Sequence, residues 1–137
     1  MHTPPVQLKD VFLPVGQMLQ LTEVVSIEGE TIVCRQDLAK SEWLFQVHFP
    51  GDPIFPGSLM IEGAGQVVAV WMYAGGYRGK PRLVKASGDF KSPLLPQDGV
   101  VTYTGKIQRR GKLCIGQVTL TVGERVVATS EIWLAVL

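Results

Sequence analysis

Charge is scarce in this 137-residue chain: 18% of its residues are Asp, Glu, Lys or Arg, and the net charge is +1. A near-neutral total argues against a dedicated nucleic-acid binder and leaves only a local basic patch to consider. So few charges on so small a protein also predict that a second copy covers part of its surface. Cysteine is nearly absent. Cys34 and Cys114 are the two present, both in apolar, strand-like surroundings. Two cysteines do not make a zinc site alone. A disulfide stays open on count, but the polar segment 1–9 does not read as a secretory signal. The expectation is two reduced core thiols in a cytoplasmic protein. Long hydrophobic runs are missing as well. The longest, 67–74, is far short of a membrane span. No internal repeat or low-complexity segment is present.

Apolar residues are plentiful, at 46%, enough for the core of one domain over 1–137. Residues 1–10, with Pro4 and Pro5 and no period, read as an irregular arm in which His2 is an exposed terminal residue. Segment 18–27 alternates imperfectly and is rich in β-branched residues, which predicts a strand. A turn at Glu28, Gly29 and Glu30 leads to a second strand over 31–37, making a hairpin. Four further strands are predicted over 82–90, 99–109, 112–122 and 125–136. The short glycine-containing links at 110–111 and 123–124 make the last three an antiparallel meander.

The rest of the chain is organised around 43–73. A strand-like lead-in ends at His48, and a loop with Pro50, Pro53, Pro56, Gly51 and Gly57 follows. A helix is expected over 58–73, ended by Gly75 and Gly76. Its apolar residues fall on every face, which predicts an enclosed helix with the sheet curled round it. Glycines at 63 and 65 each cost about 1 kcal/mol relative to alanine, and such glycines admit a close neighbouring backbone. Glu62 is then anomalous, because desolvation disfavours an ionised carboxylate. It is not three residues past an N-cap at Ser58 or Gly57, so it does not complete a capping box. A salt-bridged or dipole-stabilised surface glutamate remains the alternative on burial grounds. Gln66 lies one turn on, on the same face. The stiff loop can hold His48 at a fixed distance from the helix start, where the Gly57 N–H suits an oxygen gaining negative charge.

The string His48-Phe49-Pro50-Gly51-Asp52-Pro53, then Pro56-Gly57, Leu59, Glu62 and Gln66, resembles the 3-hydroxyacyl-acyl-carrier-protein dehydratases of the FabZ and FabA type. The segment Phe90-Lys91-Ser92-Pro93 with Pro96 and Asp98 is similar to a second stretch of that family. The resemblance implies an α+β hot-dog fold, a curved antiparallel sheet of about six strands wrapped around one long central helix. It implies a homodimer whose sites take the histidine from one subunit and the acid from the other. It further implies His48 and Glu62 as the catalytic pair, with Gly57 and Ser58 at the thioester carbonyl and Gln66 in support. No metal, cofactor, nucleic acid or membrane enters that chemistry; the implied partner is an acyl carrier protein. Histidine, with an ordinary pKa of about 6.5, suits a base near neutral pH.

Asp52 resembles the dehydratase-isomerase branch and Glu62 the dehydratase-only branch, which leaves added isomerase activity open. An acyl thioesterase of the same fold and a non-catalytic acyl-binding module are the competing readings. Val67, Val70, Trp71 and Phe90 are candidates for an acyl tunnel, with ordinary core as their alternative. Lys80, Arg82, Arg109 and Arg110 belong to a local excess of positive charge after the helix. They are candidates for carrier docking, with solvated strand ends as the alternative.

Overall fold

The computed structural model describes residues 6–136. The beginning of the expected arm, with His2, lies outside the described residues. Six strands, β1 (Glu23–Glu28), β2 (Thr31–Asp37), β3 (Pro81–Phe90), β4 (Val100–Arg110), β5 (Leu113–Val122) and β6 (Arg125–Val136), form one sheet. Their order is β1-β2-β4-β5-β6-β3, and every pairing is antiparallel. The helices are α1 (Glu42–Val47) and α2 (Gly57–Ala74).

Alternation along the strands decides which face is buried. Ile32, Cys34 and Gln36 on β2 point inward, as do Val101, Tyr103 and Ile107 on β4. They meet α2, which packs against β2, β3, β4, β5 and β6. An 18-residue helix is about 27 Å long, and a sheet touching it with five strands must curve round it. Gly63 is one reason the fit is close: a Cβ there would lie 2.8 Å from Cζ of Tyr103. Both cysteines are free and buried. Burial pushes the Cys34 thiol up to about 12 and raises that of Cys114 against the pull of Arg109.

Four local expectations are corrected. The lead-in to His48 is the helix α1, not a strand. Its buried residues, Leu44 and Phe45, are adjacent in sequence, a pattern that two-residue alternation does not produce. The first strand starts at Glu23 rather than residue 18. Before it, Gly16–Met18 is a 3-10 turn, and the backbone N–H groups of Gln20 and Leu21 bond to the side chain of Gln66 instead of a strand. Of the two glycines ending α2, only Gly76 has a left-handed φ, at 99°. Finally, α2 is not enclosed on every face. Ser58, Ile61, Glu62 and Gly65 line an open groove.

The sheet has two edges, β1 and β3, and β3 exposes large apolar side chains. Strand β3 bonds to β6 on one side only, and Leu83 and Val84 are 61% and 57% exposed. A long edge strand with exposed apolar side chains invites pairing with another strand.

Candidate active site

Two half-sites lie at the start of α2. The first is built on the proline-rich loop. Phe49 and Asp52 exchange backbone hydrogen bonds of 2.9 Å in each direction, around Gly51 at φ 78°. The loop is stapled back because Ile54 N–H donates to the carbonyl of His48 at 2.9 Å. The Ile54 carbonyl in turn stands 2.9 Å from Nδ1 of His48. A carbonyl only accepts, so Nδ1 carries a hydrogen, and in the neutral ring Nε2 then keeps its lone pair. That is the tautomer a general base requires.

Gly57 opens α2 behind Pro56, whose ψ of 133° marks the N-cap. The first N–H of a helix has no partner within the helix. Gly57, Ile54, Phe90 and Lys91 line one cavity of about 490 Å³. The Phe90 ring covers the glycine so closely that an added Cβ would meet ring carbons at 2.8 to 3.2 Å.

The second half-site is the groove, of about 550 Å³, between α2, the segment 12–14 and β3. Glu62 lies in it half-buried, with Ser58 one turn before and Gln66 one turn after. Gln66 Nε2 donates to Oε2 of Glu62 at 2.9 Å. Among the described residues no ion pair reaches Glu62, so the salt-bridged alternative finds no partner there. The walls are apolar: Phe12, Leu13, Ile61, Leu83 and Leu134.

These cavities separate residues expected together. His48 is held on the Ile54 carbonyl, and Ile54 lines the Gly57 cavity, whereas Ser58 and Glu62 face the groove. Glu62 lines the groove, and His48 lines none of the three cavities described. Of the tunnel candidates, Val67 and Val70 are fully buried and line none of these cavities. Trp71 donates Nε1–H to the Gly29 carbonyl at 2.9 Å, toward the β1–β2 turn. Phe90 does line a cavity. The sheet brings two docking candidates into one row: Arg110 lies opposite Leu113, Leu113 opposite Ala135, and Ala135 opposite Arg82. Arg109 stacks over Tyr77 at 4.1 Å, and Lys80 is exposed. This basic end lies near the C-terminus of α2, away from Gly57.

Residues not anticipated from the sequence are Gln20, Gln36 and Tyr103, which join Gln66 in a buried hydrogen-bonded chain. A signal existed for Gln36. It occupies the inward position set by Ile32 and Cys34 on β2, and a buried amide needs partners.

Residues 13–131 match the model of the FabA-like domain family, and the chain belongs to that family. The 3-hydroxyacyl-[acyl-carrier-protein] dehydratase FabZ of Syntrophobacter fumaroxidans is 33% identical over 127 residues, 88% of this chain and 81% of that protein. In three dimensions the chain is similar to the dehydratase heterocomplex ApeI:P from Xenorhabdus doucetiae, with a TM-score of 0.74 and 18% identity, covering 93% of this chain and 90% of that one. It is also similar to a hypothetical thioesterase from Streptococcus pneumoniae solved with coenzyme A, with a TM-score of 0.68 and 14% identity, covering 84% of each chain. The fold is the hot-dog fold. At such identities the solved structures support the fold alone, and they contain both dehydratases and thioesterases.

Proposed function

We propose that the chain dehydrates 3-hydroxyacyl thioesters on an acyl carrier protein to trans-2-enoyl thioesters. The observation that carries this reading is the hold on the two groups: an imidazole fixed through Nδ1 by a backbone carbonyl, and a carboxyl held by an amide in an apolar groove. His48 Nε2 takes the proton from C2, and the electron pair of that C–H bond becomes the new C2–C3 double bond. Negative charge gathering on the thioester oxygen is met by the Gly57 N–H. Glu62 gives its proton to the C3 hydroxyl, whose C–O bond breaks to release water. A proton returned through solvent from His48 to Glu62 resets the pair. The balance requires neither a metal nor a redox cofactor.

A second copy completes each site in this reading. The β3 edge offers the contact, because closed dimers use one patch twice about a two-fold axis. Antiparallel pairing of β3 with its copy reverses its direction. The Arg82 end of one strand then faces the Phe90 end of the other. The basic row of one chain would so approach the Gly57 cavity of its partner, where an acidic carrier must deliver its thioester. Reversing Arg109 and Arg110 to glutamate is expected to lower carrier-linked kcat/KM about tenfold at low salt and less at high salt. A small thioester should be turned over as before. Equal loss with both substrates would refute the docking role.

The activity itself is tested with 3-hydroxyacyl thioesters of graded chain length, read by mass for loss of water and by thiol release. Loss of water without free thiol is expected. Free thiol without enoyl product would establish a thioesterase instead, and a 3-enoyl product would add isomerisation.

A further inference from the structure

Gln20, Gln36 and Gln66 are 4%, 1% and 2% exposed, and Tyr103 is fully buried. They form one chain of hydrogen bonds whose sense is fixed from both ends by the backbone. Gln66 Oε1 faces the N–H groups of Gln20 at 2.9 Å and Leu21 at 3.4 Å. Those groups only donate, so the Gln66 NH₂ must point the other way. It does so, toward the Met18 carbonyl at 2.8 Å and Glu62 Oε2 at 2.9 Å. At the far end, the Gln20 NH₂ meets two groups that only accept, the carbonyls of Gln17 and Met18 at 3.2 and 3.1 Å. Gln20 Oε1 must therefore accept from Gln36 Nε2 at 3.0 Å. Gln36 Oε1 is then left to accept from the Tyr103 hydroxyl at 2.6 Å. Burial keeps that phenol protonated, so it can serve as the donor.

The Met18 carbonyl joins the two halves, since it accepts from both Gln20 and Gln66. Segment 17–21 belongs to no strand. Its hold on α2 is Gln66, and its hold on β2 is the Gln20–Gln36 pair. Were Gln20 to let go, the carbonyl and N–H that orient Gln66 would drift. Gln66 could then rotate and present an oxygen to the carboxylate, where two acceptors repel.

We propose that Gln20, Gln36 and Tyr103 are positioning residues that act through Gln66, keeping Oε2 of Glu62 an acceptor and making Oε1 the oxygen that hands its proton to substrate. The proposal rests on Glu62 as the proton donor of the dehydration above. It places a functional constraint on the segment before β1, which touches neither His48 nor the Gly57 cavity.

The test compares Gln20→Met and Tyr103→Phe, each alone and combined with Gln66→Leu, using a small 3-hydroxyacyl thioester. Gln20→Met is expected to lower kcat about tenfold with KM within about twofold, and Tyr103→Phe about threefold, as misplacing a reacting group does. Neither should lower kcat further once Gln66 is leucine, because residues on one path are not additive. Should Gln20→Met fail to fold, Tyr103→Phe keeps the ring and carries the same comparison. A second readout needs no turnover: the side-chain NH₂ of Gln66, observed by nitrogen-15 NMR, should exchange slowly with water and speed up in Gln20→Met. Multiplicative losses, or a raised KM at unchanged kcat, would overturn the positioning role. Unchanged exchange would overturn the network itself. Absence of turnover in the wild-type chain on every thioester would overturn the catalytic half, whatever the NMR reads.

Discussion

Replacing His48 with alanine, or Glu62 with glutamine, is expected to lower kcat for 3-hydroxyacyl-thioester dehydration by about a thousandfold, with KM little changed. The two losses have different causes. Alanine at 48 removes the imidazole that takes the C2 proton in this reading. Its neighbour Ile54 contributes backbone alone to the ring. Glutamine at 62 keeps the volume and still offers Gln66 an acceptor, but it has no proton to give. Neither change empties a wall of the groove, so binding should survive. The two inactive chains also report where the site is. If each site draws on two copies, random pairing makes half the dimers mixed, and each mixed dimer has one intact site of two. Mixing the variants by co-refolding should then restore about a quarter of the wild-type rate. No recovery would place both groups within one chain, and retained turnover in either variant would remove that residue from the chemistry.

How far such a site can be read in advance depends on what each residue answers to. The meander β4–β5–β6 and the helix α2 were legible, because alternation and glycine-containing turns are local signals. The loop from His48 to Gly57 was legible for a similar reason, since proline and glycine restrict their own backbone. Segment 18–22 was not. Its alternating look, running into the β-branched residues at 24–27, reads as a strand, but the N–H groups of Gln20 and Leu21 find a side chain on α2. A partner 46 residues away leaves no trace in a short window. The same holds for α1, where the choice between helix and strand turns on burying Leu44 beside Phe45. On α2 the all-round apolar pattern concealed the groove. Ile61, Leu83 and Leu134 are apolar as core residues are, yet they wall an opening that a substrate or second copy must fill. Periodicity distinguishes apolar from polar faces; it does not distinguish protein interior from a face meant for a partner.

Gly63→Ala is expected to cost about 3 kcal/mol of stability, near the upper end of what one added methyl does in a packed core. The new Cβ would contact the Tyr103 hydroxyl and lie 2.8 and 2.9 Å from ring carbons. The ring has little freedom to yield. Tyr103 is fully buried on β4, between β2 and β5, and its hydroxyl is bonded to Gln36. Yielding would mean breaking that bond inside the core, which leaves a buried phenol and a buried amide unpaired. Alanine is otherwise the better helix former by about 1 kcal/mol, so any loss measures the collision against a gain of opposite sign. A chemical-denaturation midpoint compared with Gly65→Ala makes the control, since a Cβ at 65 meets nothing within 4 Å and should be neutral or stabilising. Adding Tyr103→Phe to Gly63→Ala should recover part of the loss, because the hydroxyl makes the closest of the contacts. If Gly63→Ala proved as stable as Gly65→Ala, the approach of α2 to β4 would be looser than described. The tyrosine would then have room to move away from Gln36, and the buried chain leading to Glu62 would lose its fixed end.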